Sequence, residues 1–547
     1  MSDQRFDYLV VGGGSSGCVV AGELARDPGL SIGLIELGER ADAHPETLSA
    51  DGYKDAFAND ALVLERFSTP QPYCGKQRLF LGSGKGMGGS GAINGMVYTR
   101  GSREDYASWP AGWHYDDLLP AFEAVENKLR VRPRHATEFT EAFVKSAEQA
   151  GFRRSSLHDG DLSGVIGYQP MNYEGAARRS SYVAFVREAQ QENLQIITRA
   201  QVRRVVFEGN RAVGVELEQD GQVRTIRARR EVVLCAGALE TPKLLCLSGV
   251  GPAPLLQAFG IERVQASPGV GQNLHDHPNV TLFFVGRQPV DSFYPQLYAF
   301  HRANPASDLP ARQSDTCYVM YPARSSLREA AMRMVPPKLP AALYGDKSKR
   351  WIRAGISAAT SLSLTQNLIE RTWGCVVILG KPKSRGRLSL GSRDPSAQAL
   401  IDPAYFSHPE DMETMVKGVE LARRIASGSA LKVFGNLGVL PPSFIKREEH
   451  IRTFIEHNAM TTFHYAGTCR MGDDAESVVD PELRVRGVEG LRVADASVAP
   501  FTPVSAMNAP SMMIGMRAAT FIRHELERSR ASLLPGSDSA PQVGAGA

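Results

Sequence analysis

Cysteine is scarce in this chain of 547 residues, and its pattern argues against two kinds of cross-link. The seven cysteines are widely spaced, their number is odd, and none belongs to a C-x-x-C pair. That pattern disfavours a disulfide framework and a zinc site of the usual ligand spacing. We therefore predict no metal site, and we expect reduced, mostly buried thiols, as in a cytoplasmic protein.

Long apolar runs and an excess of one charge are also missing. No window of about 18 residues is wholly apolar, which argues against a transmembrane helix, and the polar start at residues 1–6 does not resemble a signal peptide. The 62 basic and 59 acidic residues nearly cancel, so nothing points to nucleic acid. We expect a cytoplasmic protein without an integral membrane segment; peripheral contact with the inner membrane stays open.

The first feature with a specific chemical meaning is a glycine-rich turn near the N-terminus. A short apolar run at residues 8–11 leads into the motif Gly12-x-Gly14-x-x-Gly17, and a helical pattern follows. A second apolar run at residues 32–35 completes a β–α–β unit. The chain therefore begins with a Rossmann-like α/β element.

This unit predicts a site for a dinucleotide. Gly12 permits the tight turn, Gly14 lets a pyrophosphate approach the backbone, and Gly17 lets helix and strand pack closely. The N-terminus of the helix adds free N–H groups and a positive dipole end. Glu36 stands about 20 residues further on, at the end of the second strand, where its carboxylate can hold the ribose hydroxyls.

A second glycine-rich stretch, residues 84–98, is too rich in glycine to form a packed element. Its apolar residues Met87, Ile93, Met96 and Val97 argue for burial rather than for a flexible surface loop. The stretch therefore suggests backbone that lies against a flat ligand.

Several stretches resemble the glucose–methanol–choline (GMC) oxidoreductases. Residues 84–98 and 237–251 are similar to the two signatures of that family. Further similar stretches are residues 270–277, 463–472 and 491–497. The resemblance runs over residues 5–527, is weakest over 281–455, and is closest to the bacterial choline-dehydrogenase-like branch. It implies an FAD-dependent enzyme that acts on CH–OH groups.

The resemblance and the element pattern together predict an α/β fold (α+β overall). We expect a Rossmann-like FAD-binding domain and a discontinuous substrate-binding domain built on an antiparallel sheet. The FAD-binding domain is expected at residues 1–160, 191–280 and 456–530. The substrate-binding domain is expected at residues 161–190 and 281–455, and residues 531–547 are expected to form a disordered tail.

The resemblance also implies which residues hold FAD. They are Gly12, Gly14, Ser15, Ser16, Gly17, Glu36, Gly88, Gly89, Ser90, Asn94, Gly95, Val97, Val202, Asp495, Ala496, Asn508 and Ala509. Some members of the family tie FAD to a histidine just before the asparagine of the first signature. Ile93 stands at that position, so we predict non-covalent FAD.

By the same resemblance, His464 and Asn508 are the catalytic pair. An alcohol releases hydride more easily when its hydroxyl proton is leaving, and imidazole can take that proton near neutral pH. The Asn508 amide can donate an N–H to the developing alkoxide without competing as a base. His275 and His277 are assigned a structural role near FAD, because their spacing is poor for zinc.

The predicted reaction is FAD-dependent oxidation of a small-molecule alcohol to an aldehyde or ketone, with hydride transfer to flavin N5. The resemblance favours a dehydrogenase with a non-oxygen acceptor, such as a quinone or another carrier. An alcohol oxidase that reduces dioxygen to hydrogen peroxide, and a lyase or photodecarboxylase on the same fold, stay open, as does the oligomeric state. Either an apolar pocket or ordinary packing explains the aromatic residues Phe293, Tyr294, Tyr298, Phe300, Tyr318 and Tyr321.

Overall fold

The computed structural model describes residues 4–339 and 343–532. Its first layer is a seven-stranded mixed sheet that carries the N-terminal glycine turn. In spatial order its strands are Ala200–Glu208, Arg211–Gln219, Gln222–Leu234, Arg5–Val11, Ile32–Ile35 and Leu194–Ile197, and Leu491–Val493 pairs with Gln222–Leu234. The five strands around Arg5–Val11 pair in parallel, and the first three form an antiparallel extension. The predicted β–α–β unit is confirmed.

An eight-stranded sheet forms the second layer. In spatial order its strands are Leu437–Leu440, Pro278–Val285, Thr372–Leu379, Thr316–Pro322, Leu297–His301, Val165–Tyr168 and Arg153–Arg154, and Met460–Thr461 pairs with Pro278–Val285. All of its pairs are antiparallel except the pair made by Arg153–Arg154. The predicted fold class is therefore confirmed, while the domain boundaries stay a prediction.

Helices pack on both sheets. They are Ser15–Leu24, Tyr53–Ala58, Arg103–Tyr106, Tyr115–Leu129, Glu138–Gln149, Thr241–Leu247, Ala253–Ala258, Ala323–Met334, Asp346–Ser361, Ser363–Glu370, Pro409–Ala426, Glu448–Asn458 and Asn508–Ser532. The remaining short strands pair as Val63–Leu64 with Ser83–Gly84, Tyr173–Glu174 with Ala177–Arg178, Val250–Gly251 with Gln265–Ala266, and Arg387–Ser389 with Leu400–Asp402. None of the helices in the described part of the chain combines the length and apolar character needed to cross a membrane.

The last helix, Asn508–Ser532, packs along the first helix, Ser15–Leu24. A methyl group on Gly515 would lie 2.7 Å from the carbonyl oxygen of Ser16, so the two backbones approach closely. This helix extends two residues into the expected disordered tail. The rest of that tail, residues 533–547, lies outside the described residues.

The predicted thiols lie in the core. All seven cysteines are buried and free of disulfides. Burial raises the pKa of the Cys18 thiol to about 12, so the thiol stays protonated at neutral pH. The cysteines therefore act as small apolar side chains.

Gly12 and Gly17 explain why the turn is so tight. Gly12 has a φ of +106°, and a Cβ there would lie 2.4 Å from the carbonyl oxygen of Cys235. A Cβ on Gly17 would lie 1.9 Å from the carbonyl oxygen of Gly12. The first helix can therefore contact the turn only because both positions lack a side chain.

We expect Gly17→Ala to lower the melting temperature of the apoprotein. Overpacking at such a contact costs about 1–3 kcal/mol, which exceeds the gain of about 1 kcal/mol that alanine brings to a helix. Gly14→Ala is the matched control, because its Cβ would have no neighbour closer than 4.0 Å. Equal melting temperatures for the two variants would contradict the close approach.

Candidate active site

One cavity of about 810 Å³ is lined by residues from both sheets. Its volume is in the range of cofactor and small-molecule sites. The glycine turn forms one end, and aromatic side chains of the second sheet form the other end. The cavity thus joins a predicted nucleotide site to a second chamber.

Most of the predicted cofactor residues lie on the wall of this cavity. Those that line it are Gly12, Gly14, Ser15, Ser16, Glu36, Gly89, Ser90, Asn94, Gly95, Val97, Val202, Asp495, Ala496 and Asn508. Three others are absent from the wall. Gly17 packs against Gly12, Gly88 donates its N–H to the carbonyl of Gly13 at 2.7 Å, and Ala509 is buried in the last helix.

Glu36 is buried at the nucleotide end and accepts three backbone hydrogen bonds. Its Oε1 accepts from the N–H groups of Gly38 at 2.8 Å and Gly86 at 2.9 Å, and its Oε2 accepts from Gly13 at 2.7 Å. Burial raises the pKa of this carboxyl group, while the three N–H groups act in the opposite direction. Since each oxygen has two acceptor sites, Oε2 keeps one site for a hydroxyl group.

The second glycine-rich stretch lies directly against the first. A Cβ on Gly89 would lie 2.7 Å from the Cα of Gly14, and a Cβ on Gly84 would lie 2.3 Å from the carbonyl carbon of Gly89. Both contacts require glycine, so the two motifs form one continuous backbone surface. This surface is open to the cavity at Gly14 and Gly89.

Asp495 ties the C-terminal part of the chain to the 237–251 stretch. Its Oδ2 accepts from the N–H of Gly237 at 2.8 Å and from the hydroxyl of Thr241 at 2.6 Å, and its Oδ1 accepts from the N–H of Ser497 at 2.8 Å. Burial raises the pKa of the Asp495 carboxyl group. These bonds fix the cavity wall around residues 235–240 and 495–496.

Asn508 is the first residue of the last helix and lines the cavity. Its Oδ1 accepts a hydrogen bond from the hydroxyl of Ser15 at 2.8 Å. With the oxygen held in this way, the amide Nδ2 is the donor that is left for a ligand. A Cβ on Gly91 would lie 3.1 Å from that Oδ1, so the second glycine stretch also reaches this point.

The backbone around His464 is held by the buried carboxylate of Asp276. Its Oδ1 accepts from the N–H groups of His277 and His464, both at 2.8 Å. Its Oδ2 accepts from the hydroxyl of Thr461 at 2.5 Å and from the hydroxyl of Tyr405. Each oxygen therefore has both acceptor sites filled, and the turn that carries His464 is fixed to the start of a strand.

His464 lines the cavity, and His277 lies behind it. The Nδ1 atoms of the two rings are 3.0 Å apart. Burial lowers the pKa of His464 to about 3, and burial also lowers the pKa of His277 well below its usual value. Both rings are therefore neutral at pH 7, and one Nδ1–H must donate to the other Nδ1.

The sequence motifs do not indicate the contact between His277 and His464. From the sequence, only a structural role near FAD is predicted for His277. The only available signal was that Asp276 and His277 lie within a stretch that resembles the family. His275 has a different position: its Nδ1 is 2.7 Å from the carbonyl oxygen of Asn273, and it does not line the cavity.

The second chamber is apolar and aromatic. Its wall includes Tyr53, Phe57, Phe283, Tyr298, Tyr321 and Phe463, together with the ionisable residues Lys54, Glu329 and Lys338. Of the six aromatic residues named in the sequence as possible pocket residues, only Tyr298 and Tyr321 line this chamber. Phe300 and Tyr318 are buried in the core, Phe293 is exposed, and the Tyr294 ring packs against Arg134.

Within the described residues, no group of three or more His, Cys, Asp and Glu side chains is arranged to hold a metal ion. The polar groups of the cavity instead fit an organic ligand. They are backbone N–H groups, buried carboxylates, an amide and an imidazole.

Comparisons with known proteins show the family of the chain. Residues 6–279 match the N-terminal model of the GMC oxidoreductases, and residues 382–515 match the C-terminal model. The chain is 32% identical to an oxygen-dependent choline dehydrogenase of Brucella anthropi, over 96% of this chain and 97% of the relative. It is 33% identical to an uncharacterised GMC-type oxidoreductase of Mycobacterium bovis, over 95% of this chain and 100% of the relative.

Solved structures give the same picture of the fold. The pyridoxine 4-oxidase of Mesorbium loti superposes with a TM-score of 0.81 at 25% identity, covering 95% of this chain and 99% of that chain. A variant of the formate oxidase of Aspergillus oryzae superposes with a TM-score of 0.81 at 23% identity, covering 96% and 100% of the two chains.

We expect Asp276→Asn to keep the fold and Asp276→Ala to lose it. An asparagine can still accept from both N–H groups with its oxygen and can donate to the two hydroxyl groups, whereas alanine leaves four buried donors without a partner. Each such group costs about 1–3 kcal/mol. The measurement is the melting temperature of purified protein, and an alanine variant as stable as the asparagine variant would contradict the role of Asp276.

Proposed function

The chain belongs to the GMC oxidoreductase family as an FAD-dependent enzyme that acts on CH–OH groups, and we propose a specific assignment of roles within its cavity. In this proposal His464 is the general base and Asn508 is the hydrogen-bond partner in the oxidation of an alcohol to an aldehyde or ketone. The supporting observation is that both residues line the same cavity as the glycine turn and Glu36.

The cavity fits FAD in several respects. The N-terminus of the first helix and the open backbone at Gly14 would hold the pyrophosphate, and the free acceptor site of Glu36 would hold a ribose hydroxyl. The surface at Ser90, Asn94 and Val97 would lie beside the ring system. When bound, FAD supplies the hydride acceptor.

His464 would take the hydroxyl proton of the alcohol at Nε2. Burial lowers the pKa of His464, so the ring is neutral at neutral pH and has one unprotonated nitrogen for the alcohol proton, although the same burial makes it a weaker base than a free imidazole. If His464 donates its Nδ1–H to Nδ1 of His277, then Nε2 is the basic atom. In that arrangement His277 would be a positioning residue that selects the tautomer of the base.

Asn508 would stabilise the alcohol oxygen as its proton leaves. The bond from Ser15 holds Oδ1 and leaves Nδ2 as the donor. A fixed donor in a site that excludes water is worth more than the same donor in solution. Ser15 thus acts on the alcohol through Asn508.

We propose a dehydrogenase that passes electrons to an acceptor other than dioxygen, such as a quinone. The solved pyridoxine 4-oxidase keeps the oxidase alternative relevant. A panel of aromatic, aliphatic, polyol and amino alcohols, including choline, should be assayed with an artificial quinone acceptor and, separately, with oxygen. Turnover that yields stoichiometric hydrogen peroxide in air, with no gain from the quinone, would contradict the dehydrogenase assignment.

The apolar second chamber favours an apolar or aromatic alcohol as the substrate. Tyr298, Tyr321 and Phe283 offer apolar surface, and Glu329 is the nearby acid that a cationic alcohol would need. Glu329→Gln separates the two substrate classes. If the substrate is apolar, kcat/KM for the best alcohol should be nearly unchanged; a loss confined to cationic alcohols would favour an amino alcohol.

His464→Ala should retain FAD and lose flavin reduction by alcohol by at least about 100-fold, the usual scale for removing a general base. The measurement is anaerobic rapid mixing with the best alcohol of the panel. His275→Asn is the control, because it removes the buried imidazole of a residue that pairs through its backbone with Ala466, near His464, but does not line the cavity. Near-normal reduction in the His464 variant would remove this residue from the proposed role.

We further propose that FAD is held without a covalent bond. Ile93 lines the cavity at the position where some relatives carry the linking histidine, and its side chain has no nucleophile. Acid precipitation of the holoprotein should therefore release all of the yellow cofactor into the supernatant. Flavin that stays with the pellet and survives washing in denaturant would contradict this proposal.

A further inference from the structure

Arg178 is fully buried and has no acidic partner among the described residues. The other arginines with less than 5% exposure all form ion pairs: Arg66 with Glu240, Arg179 with Glu174 and Glu188, Arg333 with Asp60 and Glu65, and Arg492 with Glu231 and Glu525. A buried cation without a counter-charge is expensive. Such a group needs an explanation beyond the fold itself.

The guanidinium group of Arg178 donates hydrogen bonds to the second glycine-rich stretch, residues 84–98. Its Nη1 donates to the carbonyl of Gly91 and to Oδ1 of Asn94, both at 2.9 Å, and its Nη2 donates to the carbonyl of Asn94 at 2.6 Å. Its Nε is buried without a hydrogen-bond partner. All of its acceptors are neutral groups, so the charge itself is not balanced locally, and burial lowers the pKa of Arg178 to about 9.

The other side of this stretch is the cavity wall. Ser90, Asn94 and Gly95 line the cavity, and a Cβ on Gly91 would contact Ser15 and Asn508. The stretch therefore lies between the Arg178 cation and the space assigned to the flavin ring. A charge in this position acts through a short layer of protein, where screening by water is weak.

We propose that Arg178 is the counter-charge of the flavin: its cation stabilises negative charge on the ring across residues 90–95. This inference rests on the proposed binding of FAD in the cavity. Two electrons and one proton arrive with a hydride, so the ring system gains one negative charge. The N-terminus of the last helix supplies about half a unit charge, whereas Arg178 supplies a full one.

Sulfite tests this charge without any alcohol. Its sulfur lone pair forms a bond to flavin N5, and a ring electron pair moves to the N1–C2 carbonyl region, so the adduct carries an added negative charge and no other reagent is consumed. The Kd of sulfite, read from the loss of the visible flavin band, therefore reports how well the protein stabilises that charge. Two variants separate charge from hydrogen bonding: Arg178→Lys keeps the charge, and Arg178→Gln keeps a donor without it.

We expect Arg178→Gln to weaken sulfite binding at least about tenfold, the scale of a unit charge acting through a protein interior. Because burial also lowers the pKa of a lysine, the comparison is made at a pH low enough to protonate it; there Arg178→Lys should stay within about threefold of the wild type measured at the same pH. An unchanged Kd in the glutamine variant, or equal losses in both variants, would overturn the proposal. If the glutamine variant does not hold FAD, the lysine variant decides: a Kd near the wild-type value supports the proposal and a tenfold loss contradicts it.

The outcomes for Arg178 and for the proposed function can be told apart. A yellow wild-type protein that no alcohol reduces would contradict the proposed function, yet the sulfite titrations would still report on the charge of Arg178. In the converse result, alcohols reduce the flavin of the wild-type protein while Arg178→Gln leaves the sulfite Kd unchanged. That result would support the proposed function and contradict only the role of Arg178.

Discussion

The carboxylate of Asp276 fixes the position of His464. It accepts four hydrogen bonds, from two backbone N–H groups and two hydroxyl groups, and these come from segments far apart in the chain. Because a buried carboxylate without donors is costly, the folded chain must bring all four groups to it. The same bonds bring His277 and His464 into ring contact, so the geometry of the candidate base depends on this one side chain.

The cofactor side of the cavity is built on a different principle. There the missing side chains matter, since Gly12, Gly17, Gly84 and Gly89 allow backbone to meet backbone at distances that any Cβ would prevent. The result is a smooth surface of peptide groups, which suits a phosphate chain and a flat ring. Charged side chains lie beside this surface. Glu36 lies at its nucleotide end, and Arg178 contacts the side away from the cavity.

Local features of the sequence predicted the fold well. The β–α–β unit depends on periodicity and glycine spacing over a few tens of residues, and the structure confirms it. Pro510 lies in the first turn of the last helix, Asn508–Ser532, where its missing N–H has no partner in any case. The family resemblance supplied the antiparallel second sheet, which no local pattern over residues 281–455 indicated.

Contacts between distant residues could not be predicted in this way. His277 and His464 are 187 positions apart, and Arg178 and Asn94 are 84 positions apart. The aromatic residues show the same limit. Tyr298 and Tyr321 line the cavity, whereas Tyr318 lies on the opposite face of the sheet because side chains alternate along a strand. Phe300 shares the face of Tyr298 but is covered by Leu157, Val165 and Val504, and such contacts between distant residues cannot be seen in the strand pattern.

The most direct test of the central claim is the rate of anaerobic flavin reduction by an alcohol and by the same alcohol carrying deuterium on its carbinol carbon. If the cavity delivers a hydride from that carbon to bound FAD, the flavin band is lost on mixing and the deuterated alcohol reacts more slowly. A band that persists while product forms, or a protein isolated without the yellow chromophore that does not take up added FAD, would contradict the account.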